Sequence, residues 1–223
     1  MMSVAVIGGG ASGMAFAVAL KHKRPDIEVT VFEKNPKVLK KILVTGNGRC
    51  NILNFDAVAE NYFEACEFVR PAVEKYAPKK TEAIFRDMGL LLMSEQEGRA
   101  YPISQTAASV VCVLSSAAER VGVKVITDTP VKSIEKSQGG FIINNDKNFD
   151  FAVIACGGAA APKQGTDGSS FELLKALGIR VTELSPALTG ICVKDMPFSL
   201  KGLRQYCKCT VFSNEKEYVE SGE

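Results

Sequence analysis

Apolar residues recur along the chain in two alternating patterns. Short runs of consecutive or alternating apolar residues predict strands, and longer segments with apolar residues every three or four positions predict helices. The first strand is predicted over residues 3–7, a helix of small residues follows it, and a second strand covers residues 27–32. This order predicts an α/β fold with a Rossmann-like parallel sheet.

The rest of the pattern predicts further elements of both kinds. Helices are predicted over residues 59–76, 81–88, 105–121 and 169–177. Strands are predicted over residues 90–93, 98–102, 123–127, 131–134, 141–143 and 149–155, and again from residue 180 onward. Turn residues between the later strands predict a small β-meander. Cys112 recurs with the apolar positions of helix 105–121, so we expect it in the core.

Charge and residue usage exclude several classes of function. The 27 basic and 25 acidic residues leave a net charge of +2, and no long run of one sign forms a nucleic-acid face. His22 is the single histidine, which argues against a zinc site and a Ser-His-Asp triad. The seven cysteines include no CxxC pair, which fits a reducing cytoplasm and disfavours a thiol oxidoreductase.

The N-terminal 20 residues carry no charge, but they do not read as a membrane or export segment. Four glycines interrupt the apolar run, whereas a spanning helix needs about 20 strongly apolar residues. The nearby basic cluster follows the run, whereas a signal peptide has its basic residues first. We therefore expect no membrane partner and a cytoplasmic location.

A glycine-rich turn between the first strand and the first helix has the dinucleotide fingerprint GxGxxG. Glu33 ends the second strand 20 residues after the last glycine, where the fingerprint requires an acidic residue. The glycines permit a tight turn and close approach of a pyrophosphate, and Glu33 can accept hydrogen bonds from both ribose hydroxyls. Its charge disfavours a 2′-phosphate. The cofactor contacts predicted in this unit are Gly8, Gly10, Ala11, Ser12, Gly13, Glu33 and Lys34.

Two further glycine-bearing segments are candidates for the same ligand. The long polar loop 35–54 combines glycines with donor side chains, which suits contact with phosphates or a ring edge; the alternative is a solvated basic loop. Its candidate residues are Lys41, Thr45, Gly46, Gly48, Arg49, Cys50 and Asn51. The strand ending at Cys156, Gly157 and Gly158 allows a close backbone or ligand approach, or is a simple glycine turn.

Taken in order, these motifs and Gly98-Arg99-x-x-Pro102 resemble a family of bacterial flavoproteins that includes aminoacetone oxidase and 3-dehydro-bile-acid reductase. The resemblance covers nearly the whole chain, and its most specific element is the Gly-Arg-Cys-Asn loop. It implies FAD, with Glu33 at the adenosine ribose, residues 8–13 at the pyrophosphate and residues 45–51 near the pyrophosphate and flavin. It also implies a backbone contact from Val131 to adenine.

The resemblance also bears on domain organisation. Family members are about twice as long, with an inserted β-rich domain and a final segment that returns to the flavin. We therefore expect residues 1–184 to form the FAD-binding domain and residues 185–223 to begin the inserted domain, which is truncated in this chain. Ile179 stands where the family often has a histidine, so no role of that histidine carries over.

These observations lead to two hypotheses of function. The first is a flavoprotein oxidoreductase that passes hydride between FAD and a small organic substrate, with NAD(P)H or oxygen as the candidate redox partner. The second is a module that holds FAD or NAD without turnover. No residue stands out as a catalytic acid or base, and no metal site is expected.

Overall fold

Four parallel strands form the central sheet. The computed structural model describes residues 1–185, 194, 205–213 and 216–222. The sheet contains, in spatial order, β10 (Phe151–Ile154), β1 (Ser3–Ile7), β2 (Glu28–Phe32) and β6 (Lys124–Ile126). Residues 4–7 of β1 are buried, as expected for an apolar run covered on both faces of a sheet.

Two helices cover one face of this sheet, α1 (Ala11–Lys23) and α4 (Ala107–Arg120). Val4 and Val6 of β1 belong to the same buried cluster as Met14 of α1 and Leu114 of α4. Thr106 caps α4, because its side-chain oxygen accepts a hydrogen bond from the Ser109 backbone N at 3.3 Å. The packing of α1 against β1 and α4 fixes where the N-terminus of α1 meets the sheet.

The position of Cys112 differs from the sequence prediction. The side chain is exposed, so the expectation that it lies in the core was wrong. The buried stripe of α4 is instead formed by Ala107, Val110, Leu114, Ala117 and Ala118. Because an α-helix turns about 100° per residue, Cys112 lies roughly 200° from both Val110 and Leu114 and faces away from them. Small residues on both sides of the helix make the apolar face ambiguous in the sequence.

An antiparallel meander and a short helix cover the other face. They consist of β7 (Ile134–Ser137), β8 (Gly140–Ile143), β9 (Lys147–Phe149) and α5 (Ser170–Ala176). Ala5 and Ile7 pack in one cluster with Phe32, Ile143 and Leu173. The meander predicted from the turn residues is therefore present.

Asp150 divides the single strand predicted over residues 149–155. β9 ends just before it and β10 begins just after it, so the chain passes from the meander to the central sheet at this residue. Asp150 Oδ2 accepts hydrogen bonds from the backbone N of Ser3 at 2.6 Å and from its Oγ at 2.8 Å. These bonds hold the pKa of the Asp150 carboxyl below its usual value and tie β10 to β1.

The segment between β2 and α4 adds a second small sheet and two helices. These elements are β3 (Leu53–Asn54), β4 (Leu92–Ser94), β5 (Arg99–Pro102), α2 (Cys66–Lys75) and α3 (Pro78–Asp87). Short 3₁₀ segments lie at Lys40–Gly48, Ala59–Ala65, Gln96–Gly98 and Pro162–Gln164. The helix predicted over residues 59–76 thus begins as a 3₁₀ turn and becomes α-helical only at Cys66.

The chain divides into two compact units, residues 1–181 and 182–223. In the second unit, β11 (Cys207–Ser213) pairs antiparallel with β12 (Lys216–Gly222). Residues 180–185 form no strand, contrary to the pattern that begins at residue 180, and the rest of that pattern up to residue 204 lies almost wholly outside the described residues. The interpretation of residues 185–223 as part of an inserted domain stays a prediction.

The α/β class and the Rossmann-like parallel sheet are confirmed. Across the part of the chain that the structure describes, no helix has the length and apolar character needed to cross a membrane.

Removing a core side chain from α1 tests the packing of the sheet. Met14 is 1% exposed, so we expect Met14→Ala to lower the free energy of unfolding by about 2–5 kcal/mol. Met2, which is 42% exposed, provides the matched control, and Met2→Ala should change that free energy by less than about 1 kcal/mol. Urea unfolding followed by circular dichroism measures both. Equal effects would contradict the burial of Met14 under the sheet.

Candidate functional site

A cavity of about 650 Å³ opens in the first unit at the carboxyl ends of β1, β2 and β10. The chain runs from β1 through α1 to β2 on one side, whereas the neighbour on the other side, β10, arrives much later in the sequence. Ligands of open parallel sheets bind where the strand order reverses in this way. The fold therefore identifies this cavity as the candidate ligand site.

The glycine turn forms one wall of the cavity, and its glycines have different roles. Gly8 has a φ of +110°, and a Cβ on it would lie 2.6 Å from the carbonyl oxygen of Ala155, so a side chain there would separate β1 from β10. A Cβ on Gly13 would collide with the carbonyl oxygen of Gly8, so α1 packs directly on the turn. Gly10 has ordinary backbone angles and no atom within 4 Å of its Cβ position. A side chain on Gly10 would therefore enter the open space.

The N-terminus of α1 faces the same space. Ala11 and Ser12 line the cavity, and the helix has neither a capping side chain at Gly10 nor an acidic residue in its first turn. The first backbone N–H groups of a helix have no partner within the helix, and the helix dipole is positive at this end. This end of α1 is suited to a phosphate group.

Glu33 lies in the cavity wall next to the glycine turn, as a buried carboxylate with protein donors. Only 7% of the residue is exposed. Its Oε2 accepts a hydrogen bond from the backbone N of Gly9 at 2.8 Å, and its Oε1 accepts from the backbone N and side-chain Nδ2 of Asn35 at 2.8 and 2.6 Å. These bonds compensate for burial of the charge and join the glycine turn to the end of β2.

Lysines give the cavity a positive lining. The acidic residues along its wall are Glu33 and Glu172, and the basic ones are Lys34, Lys37, Lys40, Lys41 and Lys132. Lys34 Nζ lies 2.8 Å from Asp167 Oδ2, and this hydrogen bond holds the pKa of the Asp167 carboxyl well below its usual range. The excess of lysines favours an anionic ligand.

The candidate residues of loop 35–54 fall into two groups. Lys41, Thr45, Cys50 and Asn51 line the cavity, whereas Gly46, Gly48 and Arg49 do not. The chain leaves 3₁₀ geometry at Thr45 and passes through positive φ at Gly46 and Asn47. Thr45 then closes the turn, because its carbonyl oxygen accepts a hydrogen bond from the Cys50 backbone N at 3.1 Å.

Arg49 points to the second small sheet and to the start of α4. Its Nε donates to Gln105 Oε1 at 2.7 Å, its Nη2 pairs with Glu95, and its guanidinium lies 3.9 Å from the centre of the Tyr101 ring. The hydrogen bond from Arg49 lowers the pKa of the Glu95 carboxyl. Arg49 therefore attaches the loop to the second small sheet from outside the cavity lining. Neither the sequence spacing nor the resemblance indicated Glu95 or Gln105 as its partners.

Most of the other predicted residues lie around the cavity, but Gly13, which packs on the carbonyl oxygen of Gly8, does not line it. Val131, Cys156 and Gly157 line it, and Gly158 does not. Other cavity residues were not predicted from the sequence: Asn35, Ser170 of α5, and the preceding turn with Gln164, Gly165, Thr166 and Ser169. The Gly, Pro and Asp content of that turn was a signal for a loop, but nothing in it indicated a position beside Asn35.

Cys156 provides a chemical test of the cavity wall. Burial, with a smaller contribution from the charge of Glu33, raises the pKa of the Cys156 thiol to about 11. Its Sγ lies 3.2 Å from the carbonyl oxygen of Ile7. Because the thiolate is the reactive form, we expect iodoacetamide at pH 8 to modify Cys156 at least about tenfold more slowly than the exposed Cys112. The rate at Cys156 should rise with pH towards 11.

Peptide mass spectrometry of a labelling time course measures both cysteines in one sample. Equal rates for Cys112 and Cys156 at pH 8 would contradict the burial of Cys156 beside Glu33.

Curated relatives resemble the chain over most of its length. It is 37% identical over 203 residues to the 3-dehydro-bile acid delta(4,6)-reductase of Clostridium scindens, which covers 89% of this chain and 49% of that protein. It is 25% identical over 190 residues to the ribosomal RNA dihydrouridine synthase of Haemophilus influenzae, covering 79% of this chain and 45% of that protein. The chain thus spans about half the length of these relatives.

Solved structures and a family model give the remaining comparisons. Glycine oxidase from Bacillus cereus is 15% identical and superposes with a TM-score of 0.45, covering 73% of this chain and 57% of that chain. The model of the HI0933-like protein Rossmann domain matches residues 2–207. The resemblance to bacterial flavoproteins is confirmed. With its fingerprint turn and the cavity at the strand ends, the chain belongs to the HI0933-like Rossmann-domain family.

Proposed function

We propose that the chain binds FAD and forms the cofactor-binding part of an oxidoreductase. The observation that carries this proposal is that one cavity combines the uncapped N-terminus of α1, the buried Glu33 carboxylate and a lysine-rich wall. A dinucleotide needs these features together: donors for a pyrophosphate, an acceptor for a ribose and a surface that favours negative charge. The relative from Clostridium scindens is named as a reductase, which supports redox chemistry.

The residues of the cavity fit the parts of FAD. The pyrophosphate would contact Gly10, Ala11 and Ser12, and the absence of a side chain on Gly10 leaves space for it. Glu33 would accept a hydrogen bond from the ribose, and its charge disfavours a 2′-phosphate. Val131 would offer its backbone to adenine, and the cavity-lining part of loop 41–51 would approach the flavin side.

Bound FAD supplies hydride transfer, and the chain supplies binding, orientation and charge. A small organic substrate, with NAD(P)H or oxygen as the second redox partner, completes this proposal. The relative from Haemophilus influenzae is named as a ribosomal RNA dihydrouridine synthase, which points to an RNA substrate. The near balance of basic and acidic residues in this chain gives no support for extended phosphate contacts. We retain the cytoplasm as the proposed location because of the cysteine pattern.

A module that holds the nucleotide without turnover is the alternative. One observation favours it: burial raises the pKa values of the Cys50 and Cys156 thiols, so neither of these cavity-lining cysteines is a ready thiolate. Flavin reduction by NAD(P)H distinguishes an enzyme from such a module. It is measured as the loss of absorbance near the flavin maximum.

Gly10→Val tests the cofactor site directly. A valine fits the protein at this position but fills the space that we assign to the pyrophosphate, so FAD affinity should fall at least about tenfold, equivalent to about 1.4 kcal/mol. Gly139→Val is the matched control, because its Cβ position is also open and lies outside this cavity. Titration of FAD fluorescence measures binding. If folded Gly10→Val bound FAD as tightly as the wild type, the assignment of the turn would be wrong.

Arg49→Ala tests the anchoring of residues 41–51 within loop 35–54. Without the guanidinium the loop loses its bonds to Glu95 and Gln105, and we expect FAD affinity to fall on the order of threefold to tenfold, since ordering the backbone of a single loop residue already costs about 1 kcal/mol. Arg86→Ala removes a comparable pair with Glu82 on α3 and should leave the affinity unchanged. Unchanged affinity and unchanged flavin reduction in Arg49→Ala would return Arg49 to the role of a surface residue.

A further inference from the structure

We infer that Asn35 is a positioning residue that leaves one acceptor site of the Glu33 carboxylate open for a single ribose hydroxyl. The inference rests on the proposed nucleotide site. It changes the expectation from the sequence, in which Glu33 accepts hydrogen bonds from both ribose hydroxyls.

The hydrogen bonds of Glu33 account for most of its acceptor capacity. Each oxygen of a carboxylate accepts about two hydrogen bonds. Oε1 receives two, from the backbone N and the Nδ2 of Asn35, and Oε2 receives one, from the backbone N of Gly9. Among the described residues, one acceptor position therefore stays open, and it is on Oε2. Glu33 lines the cavity, and we assign this open position to a ligand in the cavity.

The amide of Asn35 has one workable orientation. Its nitrogen must face Glu33, since an amide oxygen 2.6 Å from a carboxylate oxygen would be repelled. On its other side Nδ2 lies against Gly165, where a Cβ would be only 2.7 Å away. The carbonyl oxygen of Asn35 also accepts a hydrogen bond from the Asp128 backbone N at 3.1 Å. Asn35 is thus fixed by the segment after β6 and by the turn before α5.

The amide fixes the plane of the Glu33 carboxylate. The two carboxylate oxygens are equivalent and the last torsion of a glutamate side chain is broad, so the carboxylate alone has little preference for one plane. The two donors of Asn35 occupy Oε1 and direct Oε2 to Gly9 and the cavity. Without the side-chain donor, the carboxylate can rotate, and its hydrogen bond to a ribose hydroxyl loses direction.

Nucleotide pairs that differ by one hydroxyl test this role in the full chain. The probes are ADP, 2′-deoxy-ADP and 3′-deoxy-ADP, with binding measured by calorimetry. A hydrogen bond to a charged acceptor corresponds to an affinity ratio of about 10 to 100, so the wild type should prefer ADP by that ratio over one of the two deoxy analogues and by much less over the other. A residue that only stabilises the fold would not change this ratio.

Three variants separate the possible outcomes. Asn35→Ala should reduce the ADP preference at least threefold, and Asn35→Asp, which keeps the shape but sets a carboxylate against Glu33, should reduce it further. Asn61→Ala removes an amide that accepts a hydrogen bond from the Val58 backbone N and does not line the cavity, and it should keep the wild-type ratio. A wild type without preference among the three probes would overturn the assignment of Glu33 to ribose in the proposed function. A wild-type preference that persists in both Asn35 variants, or an equal preference over both deoxy analogues, would overturn only the inference about Asn35.

Discussion

The hydrogen bonds to the Glu33 carboxylate are the interaction on which the cavity depends. A buried carboxylate is unfavourable unless donors compensate for its lost hydration, and here the donors come from the glycine turn and from Asn35. The Glu33 backbone adds two more bonds, donating to the carbonyl oxygen of Ile126 and accepting from the Thr129 N. One residue at the end of β2 therefore connects the glycine turn, the segment after β2 and the segment after β6.

A second anchoring system works independently of the first. Arg49 attaches the loop after β2 to the small sheet and to α4 through Glu95, Tyr101 and Gln105, with no contact to Glu33. The cavity thus has one wall fixed by a buried carboxylate and another fixed by a half-exposed arginine cluster. Salt screens exposed charge pairs more strongly than buried ones. The wall held by Arg49 should therefore respond more to ionic strength than the wall held by Glu33.

The sequence revealed the parts of the site that are encoded locally. Gly8, Gly13 and Glu33 lie within one strand–helix–strand unit, so their spacing alone predicted the turn, the sheet and the acidic wall. The partners of Arg49 were not predictable, because they lie 46 and 56 residues further along the chain. The exposure of Cys112 and the break at Asp150 depend likewise on which neighbours the tertiary fold provides.

The pairing of β1 with β10 has a consequence for synthesis of the protein. Val4 pairs with Phe151, so the first strand made must wait for nearly 150 further residues before its second neighbour exists. Contacts at such separation form slowly, and the growing chain would meanwhile present an unpaired strand edge. The part of the cavity that α5 lines is completed only when that helix has left the ribosome. Binding of the proposed nucleotide would therefore be a late event in biogenesis, and a chain arrested before that helix would lack part of the cavity.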